Sequence, residues 1–304
     1  MVILVLLILS QHQHSMMDKV MGVINITPNS FSNTTEINDQ ESFKSKMDDI
    51  LAWAQIVDIG AESTAPFNEP ITEEQERERF NNTLIPYLLN QPDPETTISI
   101  DTYKVSVFKY VATKINEYWP KTKIIFNDVS GKLDDTLIDF FENFTIPYVY
   151  IYSHNMCPNR AKTSDHMKYT SDARDLEFIK EMVVYFLNGI TVLKKYNVNF
   201  WIDPCFGFSK TREQNHILLK HFKTFLLQIP YSISCVYGIS KKSFLRFPKD
   251  LDVVDPKNII ILEQMHTVLL YDLLKDSMQR ELIIRMHDKA PMIAVNNIKK
   301  IFDL

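Results

Sequence analysis

Eight short apolar runs, each closed by a polar or charged cluster, constrain this chain more than any other feature of its sequence. The first reads Val20-Met21-Gly22-Val23-Ile24-Asn25 and spills into Ile26-Thr27-Pro28-Asn29-Ser30-Phe31-Ser32. The others occupy 56–60, 96–101, 123–127, 147–152, 198–203, 232–238 and 282–287. They are rich in Val, Ile and Tyr and nearly continuous in hydrophobicity, as strands covered on both faces are. A buried strand that stops at Asn or Asp places polar groups at one end of a sheet. When all eight runs do so, the polar ends meet on one rim, and that rim is a candidate site.

Between the runs lie stretches of helical character at 40–54, 72–90, 104–116, 134–143, 173–196, 211–226, 261–280 and 294–302. The second opens with Thr72-Glu73-Glu74-Gln75, the spacing of a capping box in which Thr and Gln satisfy each other's backbone N–H. Eight strands alternating with eight helices, without repeats or low-complexity linkers, predict an α/β fold, a single (β/α)8 TIM barrel. A doubly wound open sheet is the alternative, since strand order is not readable from sequence. It is weakened because neither a GxGxxG nor a P-loop follows the first strand.

At 304 residues the chain is long enough for one such barrel. A net charge of -5 argues against general nucleic-acid binding, while leaving room for a local basic pocket. Cys157, Cys205 and Cys235 have neither metal-ligand spacing nor the numbers for a disulfide framework, and read as thiols of a reducing, cytoplasmic compartment. The apolar run 1–9 is too short to span a bilayer, which takes about 20 residues, and lacks a basic n-region. The expected organisation is therefore a leader or linker remnant at 1–19 and one barrel domain at 20–304. A secretory signal is the other reading of the leader, and no membrane association is expected.

In a barrel the active site lies at the C-terminal face of the strands. The strand ends supply Asn25, then Asp58 to Thr64, Asp101-Thr102, Asn127-Asp128, Ser153-His154-Asn155, Asp203 to Phe208, Gly238 to Ser243, and Arg285 to Asp288. Individually each is a weak signal, because a strand-terminal Asp is commonly a helix N-cap. Asp58 and Asp128 read as caps or structural hydrogen-bonders, and His154 as a satisfied structural histidine. His12, His14, His166, His216, His221 and His266 carry no supporting context. Asn25, Asp101, Asn127, Asp203, Lys242, Arg285 and His287 converge on one rim. Deep Asp and Asn side chains suit a flat heterocycle bearing both donors and acceptors. Arg285 and His287 alternate on one strand, point the same way, and can grip a phosphate or pyrophosphate. Asn25 could help hold a hard divalent cation such as Mg2+ carried in with phosphate oxygens. Neither a Ser- nor a Cys-centred nucleophile pairing nor HExxH is present, so departure of a phosphate-type leaving group is the chemistry expected.

The ordered segments Met21 to Phe31, Asp58 to Thr64, Ser99 to Thr102, Asn127 to Val129, Asp203 to Phe208, Gly238 to Phe244 and Arg285 to Asp288 resemble dihydropteroate synthase, of the pterin-binding enzymes. They follow the family's order and cover roughly residues 20–300. The resemblance implies condensation of 6-hydroxymethyl-7,8-dihydropterin pyrophosphate with p-aminobenzoate, giving 7,8-dihydropteroate and pyrophosphate for folate biosynthesis. It implies a pterin pocket of Asp101, Asn127, Asp203 and Lys242. Arg285, His287 and Asn25 with Mg2+ would hold the pyrophosphate, making Lys242, Arg285 and His287 the catalytic set. The loops Thr27 to Asn33 and Ser63 to Pro70 would close over p-aminobenzoate, with Thr64, Pro66 and Ser243 contributing. A homodimer is implied, formed through outer helices late in the chain.

Some positions depart from the family pattern. Where the family reads Ser-Thr-Arg-Pro-Gly after strand two, this chain has Ser63-Thr64-Ala65-Pro66-Phe67. That removes a mobile positive charge and a flexible glycine. Lys241 stands where Arg is common, keeping charge but not bidentate geometry. Ala61, Cys205 and Ser209 replace family glycines, in a chain with only 6 glycines. The alternatives to a synthase are a catalytically impaired pterin-binding paralogue, suggested by Ala65 and Phe67, and a methyl-folate methyltransferase in a similar barrel. The Thr27 to Phe31 loop and the Lys242, Arg285 and His287 set argue against the latter.

Overall fold

A computed structural model of the chain describes residues 19–26, 39–64, 69–245, 256–275 and 280–301. Eight parallel strands form a closed barrel in chain order. They are β1 (Lys19–Asn25), β2 (Ile56–Gly60), β3 (Thr97–Asp101), β4 (Lys123–Asp128), β5 (Val149–Ser153), β6 (Phe200–Asp203), β7 (Cys235–Tyr237) and β8 (Leu282–Met286). Closure through β8–β1 pairing, with Met21 opposite Arg285, excludes the open sheet. Outside lie α1 (Gln40–Leu51), α2 (Glu73–Asn82), α3 (Leu84–Asn90), α4 (Val105–Tyr118), α5 (Asp135–Asn143), α6 (Asp175–Lys195), α7 (Arg212–Lys220), α8 (Phe222–Leu227), α9 (Pro256–Leu274) and α10 (Ala290–Ile301).

Strand periodicity sorts the side chains. One parity of each strand faces the helices, and Ile24, Ile59, Ile100, Phe126, Tyr152, Ile202, Tyr237 and Ile284 all pack into that outer core. Phe126 stacks on Phe108 of α4 at 4.1 Å and meets Phe140 of α5 edge-on at 5.7 Å. Full burial of each such side chain is worth roughly 1.5–3 kcal/mol. The other parity faces the lumen, where Met21, Ile56, Ile125, Ile151, Val236 and Ile283 form a separate apolar plug. Two residues further along the same strands the lumen turns polar, at Asp58, Asn127, Ser153 and Arg285. The plug is thus the floor of the site.

Two expected helices are divided. Thr72 does form the capping box with Gln75, but the stretch 72–90 breaks into α2 and α3 at Thr83. Pro86 has no N–H to give and its ring would clash with the carbonyl four residues back, so one continuous helix cannot form. The stretch 211–226 divides at His221, after opening on a second capping box, Thr211 with Gln214. The run 232–238 yields only a three-residue β7, because its start is taken by a turn in which Ile233 N–H donates to the Pro230 carbonyl at 3.1 Å. The segment after β5 contains an unexpected 310 helix, Arg160–Lys168. Arg160 pins it, donating to Asp134 and Asp128 and to the carbonyls of Tyr103 and Lys132 at 2.7–3.0 Å.

Candidate active site

Above the apolar floor, the strand ends enclose a cavity of about 530 Å3. Asn25, Thr64, Asp101, Asn127, Asp203, Lys242, Ser243, Arg285 and His287, drawn from seven strands or the turns that follow them, all line it. Register accounts for part of this convergence. Asn25 pairs with Gly60, Gly60 with Asp101, and Asp101 with Asn127, so one row of the barrel carries three of these side chains to the same height.

At the deep end Arg285 is held between two carboxylates. Its guanidinium lies 2.7 Å from Asp58 and 2.9 Å from Asp101. Asp58 is fully buried and also accepts from Asn127 Nδ2 at 3.2 Å. Asp58 is therefore the structural hydrogen-bonder expected, and Arg285 is engaged in the barrel wall as well as facing the cavity. Burial pushes the Asp101 carboxyl up to about 7, with the Asp58 charge adding to the rise and Arg285 opposing it. The same pair of acids holds the arginine protonated, against its own burial. Asn127 Oδ1 has no hydrogen-bond partner among the described residues. Asp203 Oδ1 accepts from Cys205 N–H at 2.7 Å. Its carboxyl is raised by burial and opposed by that hydrogen bond and by the Arg285 and Lys242 charges. The deep end thus offers acceptors suited to ring N–H and amino groups.

The turn after β6 is tightly wound. Cys205, Gly207 and Ser209 adopt φ of +51°, +86° and +49°. Left-handed backbone costs a side-chain-bearing residue roughly 1 kcal/mol or more, which is the physical reason glycine suits positions 205 and 209. Lys210 braces the turn from inside, its ammonium donating to the carbonyls of Cys205 at 3.0 Å and Phe208 at 2.9 Å, and lying 2.9 Å from His154 Nδ1. Burial lowers the Lys210 amine to about 7. His154 is thus the satisfied structural histidine expected. Ser209 Oγ accepts from Met156 N–H at 2.9 Å, joining the turns after β5 and β6.

The cavity also carries cationic and donor groups. Lys242 lies with its ammonium 5.2 Å from the Phe208 ring centroid. Burial lowers its pKa, as does the Arg285 charge. Ser240 Oγ accepts from His287 N–H at 3.2 Å and lies 3.1 Å from His287 Nδ1, where it can donate to or accept from the ring. With the hydroxyl donating to Nδ1, Nε2 carries the ring hydrogen as a donor. Burial holds His287 well below its ordinary pKa, reinforced by Arg285, Lys241, Lys242 and Lys46. A neutral donor among several cations suits an anionic group entering from solution.

Both anchors of the turn after β2 are clamped. Glu62 accepts from Ile71 N–H at 3.1 Å and from the Tyr103 hydroxyl at 3.2 Å, and it pairs with Lys104, which also pairs with Glu76 at 2.8 Å. Ala65, Pro66 and Phe67, and the loop Thr27 to Asn33, lie outside the described residues. Five residues lining the cavity carry no signal among the strand-end motifs: His166, Met167, Lys210, Arg212 and Asn215. Lys210 could have been found from its place directly after the Asp203 to Phe208 motif. His166 carries no sequence signal, since it is brought in by the unexpected 310 segment.

The model of the family described as pterin binding enzyme matches residues 21–278 of the chain. The chain is 32% identical over 204 residues to the mitochondrial folate synthesis bifunctional protein of Pisum sativum; the match covers 64% of this chain and 36% of that longer protein, about a third of its length. It is 26% identical over 279 residues to a dihydropteroate synthase of Clostridium beijerinckii, covering 88% of each. Among solved structures, the Yersinia pestis dihydropteroate synthase with a sulfonamide drug superposes with a TM-score of 0.69 at 21% identity, covering 94% of this chain and 95% of that one. A dihydropteroate synthase of Xanthomonas albilineans with 4-aminobenzoic acid gives a TM-score of 0.67 at 20% identity, covering 94% of each chain.

Proposed function

The chain belongs to the pterin-binding enzyme family, and from that premise we propose that it is a dihydropteroate synthase. It condenses 6-hydroxymethyl-7,8-dihydropterin pyrophosphate with p-aminobenzoate and releases pyrophosphate. The observation that carries this reading is the make-up of one cavity, lined by the acceptors Asp101, Asn127 and Asp203 together with the donors Lys242, Arg285 and His287.

The residues divide the work by charge. Asp203 and Asp101 accept from the pterin's amino and ring N–H groups, and Asn127 Oδ1 takes a further donor. Lys242 donates to the ring's acceptors. As the carbon–oxygen bond to pyrophosphate breaks, negative charge grows on the departing group, where Arg285 and the His287 Nε2–H stand. Positive charge grows on the exocyclic carbon, near the carboxylates. Donors and charges already in place need no reorganisation as the bond breaks, so they favour the transition state. The amine of p-aminobenzoate, bounded by Thr64 and Ser243, then attacks that carbon and loses a proton.

Mg2+ fits the site as an ion brought with the substrate. No cluster of three or more His, Cys, Asp or Glu able to hold a metal is found among the described residues. The carboxamide of Asn25, on the cavity wall, is the kind of hard oxygen donor such an ion takes together with phosphate oxygens and water. Bound there, it would neutralise phosphate charge. We further propose a cytoplasmic homodimer. The three free, buried cysteines suit a reducing compartment. No described helix is long and apolar enough to cross a membrane. Val268 of α9 and Ile293 of α10 are exposed apolar residues that a second copy would cover.

A second reading, a pterin-binding paralogue with little turnover, is favoured by Ala65 in place of the family's loop arginine. The two separate in one assay: pyrophosphate release with dihydropterin pyrophosphate, p-aminobenzoate and Mg2+, run beside Ala65→Arg. Release dependent on p-aminobenzoate in the natural chain establishes the synthase. A silent chain that still binds pterin is the paralogue, and rescue by the arginine would locate the defect in that loop.

A further inference from the structure

His166 stands in the 310 segment after β5, only 1% exposed, and is tied to two separate turns. Its ring stacks on Phe208 of the turn after β6, centroids 4.1 Å apart and planes inclined by 22°. Its Nε2 lies 3.1 Å from the carbonyl oxygen of Thr64, in the turn after β2. A carbonyl only accepts, so Nε2 carries the hydrogen and the tautomer is fixed. Its backbone carbonyl accepts from Ser209 Oγ at 3.3 Å and from Tyr169 N–H at 3.2 Å, so the residue is held at both ends. Nδ1 has no partner among the described residues. Burial lowers the ring's pKa to about 4, so it is neutral at ordinary pH and brings no charge to an apolar contact.

The two groups that His166 holds both line the cavity. Phe208 keeps part of its ring open to it, and Thr64 lines it on the β2 side. A flat aromatic substrate needs a wall whose tilt does not drift and a facing loop at constant distance. The structure assigns His166 as a positioning residue for the aromatic acid: stacked on Phe208 and bonded to Thr64, it fixes the spacing of these two groups of the wall that receives p-aminobenzoate. This assignment rests on the synthase reading. It also predicts a separation, because His166 has no hydrogen bond to Asp101, Asn127, Asp203, Lys242, Arg285 or His287, the groups proposed for the pterin and pyrophosphate, and meets Lys242 only through Phe208.

The test is steady-state kinetics of the full chain and of His166→Ala and His166→Phe, varying each substrate in turn, with pterin binding measured directly on the same preparations. Each lost contact of this kind is worth a factor of roughly three to ten. The alanine variant should raise KM for p-aminobenzoate about tenfold while KM for dihydropterin pyrophosphate stays within about twofold. The phenylalanine variant keeps a stacking ring but loses the bond to Thr64, and should raise the first KM about threefold. Should the alanine variant fail to fold, the phenylalanine variant carries the test alone. An unchanged KM for p-aminobenzoate, or parallel rises for both substrates, overturns the assignment while leaving the synthase reading intact. A natural chain with no release dependent on p-aminobenzoate removes both.

Discussion

Replacing Asp58 by Asn tests the electrostatic frame under the site. The carboxylate is fully buried, receives Arg285 Nε at 2.7 Å and holds the Asn127 amide at 3.2 Å. An amide at position 58 keeps one acceptor, loses the charge, and turns an N–H2 toward groups that are themselves donors. A lost hydrogen bond to a buried charge costs about 1.5–3 kcal/mol, and a broken buried pair about 3–5 kcal/mol. Arg285 retains Asp101, so we expect about 3 kcal/mol at pH 5. Over 304 residues, at about 2.1 cal/mol/K per residue, that lowers the midpoint of thermal unfolding by about 5 °C. The loss should shrink at pH 8. Asp101 is an acid raised to about 7 in the folded chain, above its unfolded value of about 3.9. Its contribution to stability is therefore present below about pH 4 and is lost as the pH rises through about 7. Without the neighbouring Asp58 charge Asp101 becomes more acidic, so the variant lacks much of that decline and compares worst with the natural chain at low pH. Thermal unfolding followed by circular dichroism at the two pH values reads this directly. A penalty below about 1 kcal/mol, or one equal at both pH values, would refute the linked Asp58–Arg285–Asp101 frame.

Three further outcomes are expected. Asp203→Asn should weaken pterin binding at least tenfold, since its carboxylate is the acceptor proposed for two ring donors, and Lys242→Ala should cut pyrophosphate release by about 100-fold or more; near-natural values in both would sink the site assignment. Gly189→Ala on α6 would bring a methyl 2.1 Å from Cε1 of Tyr152, whose ring lies parallel to that of Tyr185 at 5.3 Å and has little freedom to move. Such overpacking should cost about 1–3 kcal/mol, and an unfolding midpoint unchanged from the natural chain would contradict it. Lys210→Met strips the two carbonyls and His154 Nδ1 of their shared donor, so about 2–3 kcal/mol of stability and part of the pterin affinity should go together; retention of both would show that the turn after β6 holds itself.

Much of the fold was legible in the chain because a strand's periodicity is local. Alternate residues face opposite sides whatever the strand pairs with, so Met21, Val23 and Asn25, or Ile283, Arg285 and His287, must share a face. Helix ends were legible where the chemistry is also local, as at Thr72 and Gln75. Reading failed where a single residue overrides a pattern. Pro86 breaks the stretch 72–90, and the turn at Pro230 shortens β7. The placement of Asn25, Asp101, Asn127, Asp203, Lys242, Arg285 and His287 around one cavity follows from strand ends alone, once all the strands run parallel into a barrel.

By itself, then, the sequence determined the alternation of elements, the parity of each strand, the floor-and-rim polarity of the lumen and the motifs that mark a pterin-binding enzyme. Partnership was decided only by tertiary structure. Asp58 read equally well as a cap, and became an anchor of the site when barrel closure brought Arg285 to it across 227 positions of chain. His166 had no neighbours in sequence to suggest a role, and acquired Phe208 and Thr64 through a segment with no helical period. The physical reason is the same in both cases. Periodicity tells which way a side chain faces, whereas what it meets depends on the whole chain closing.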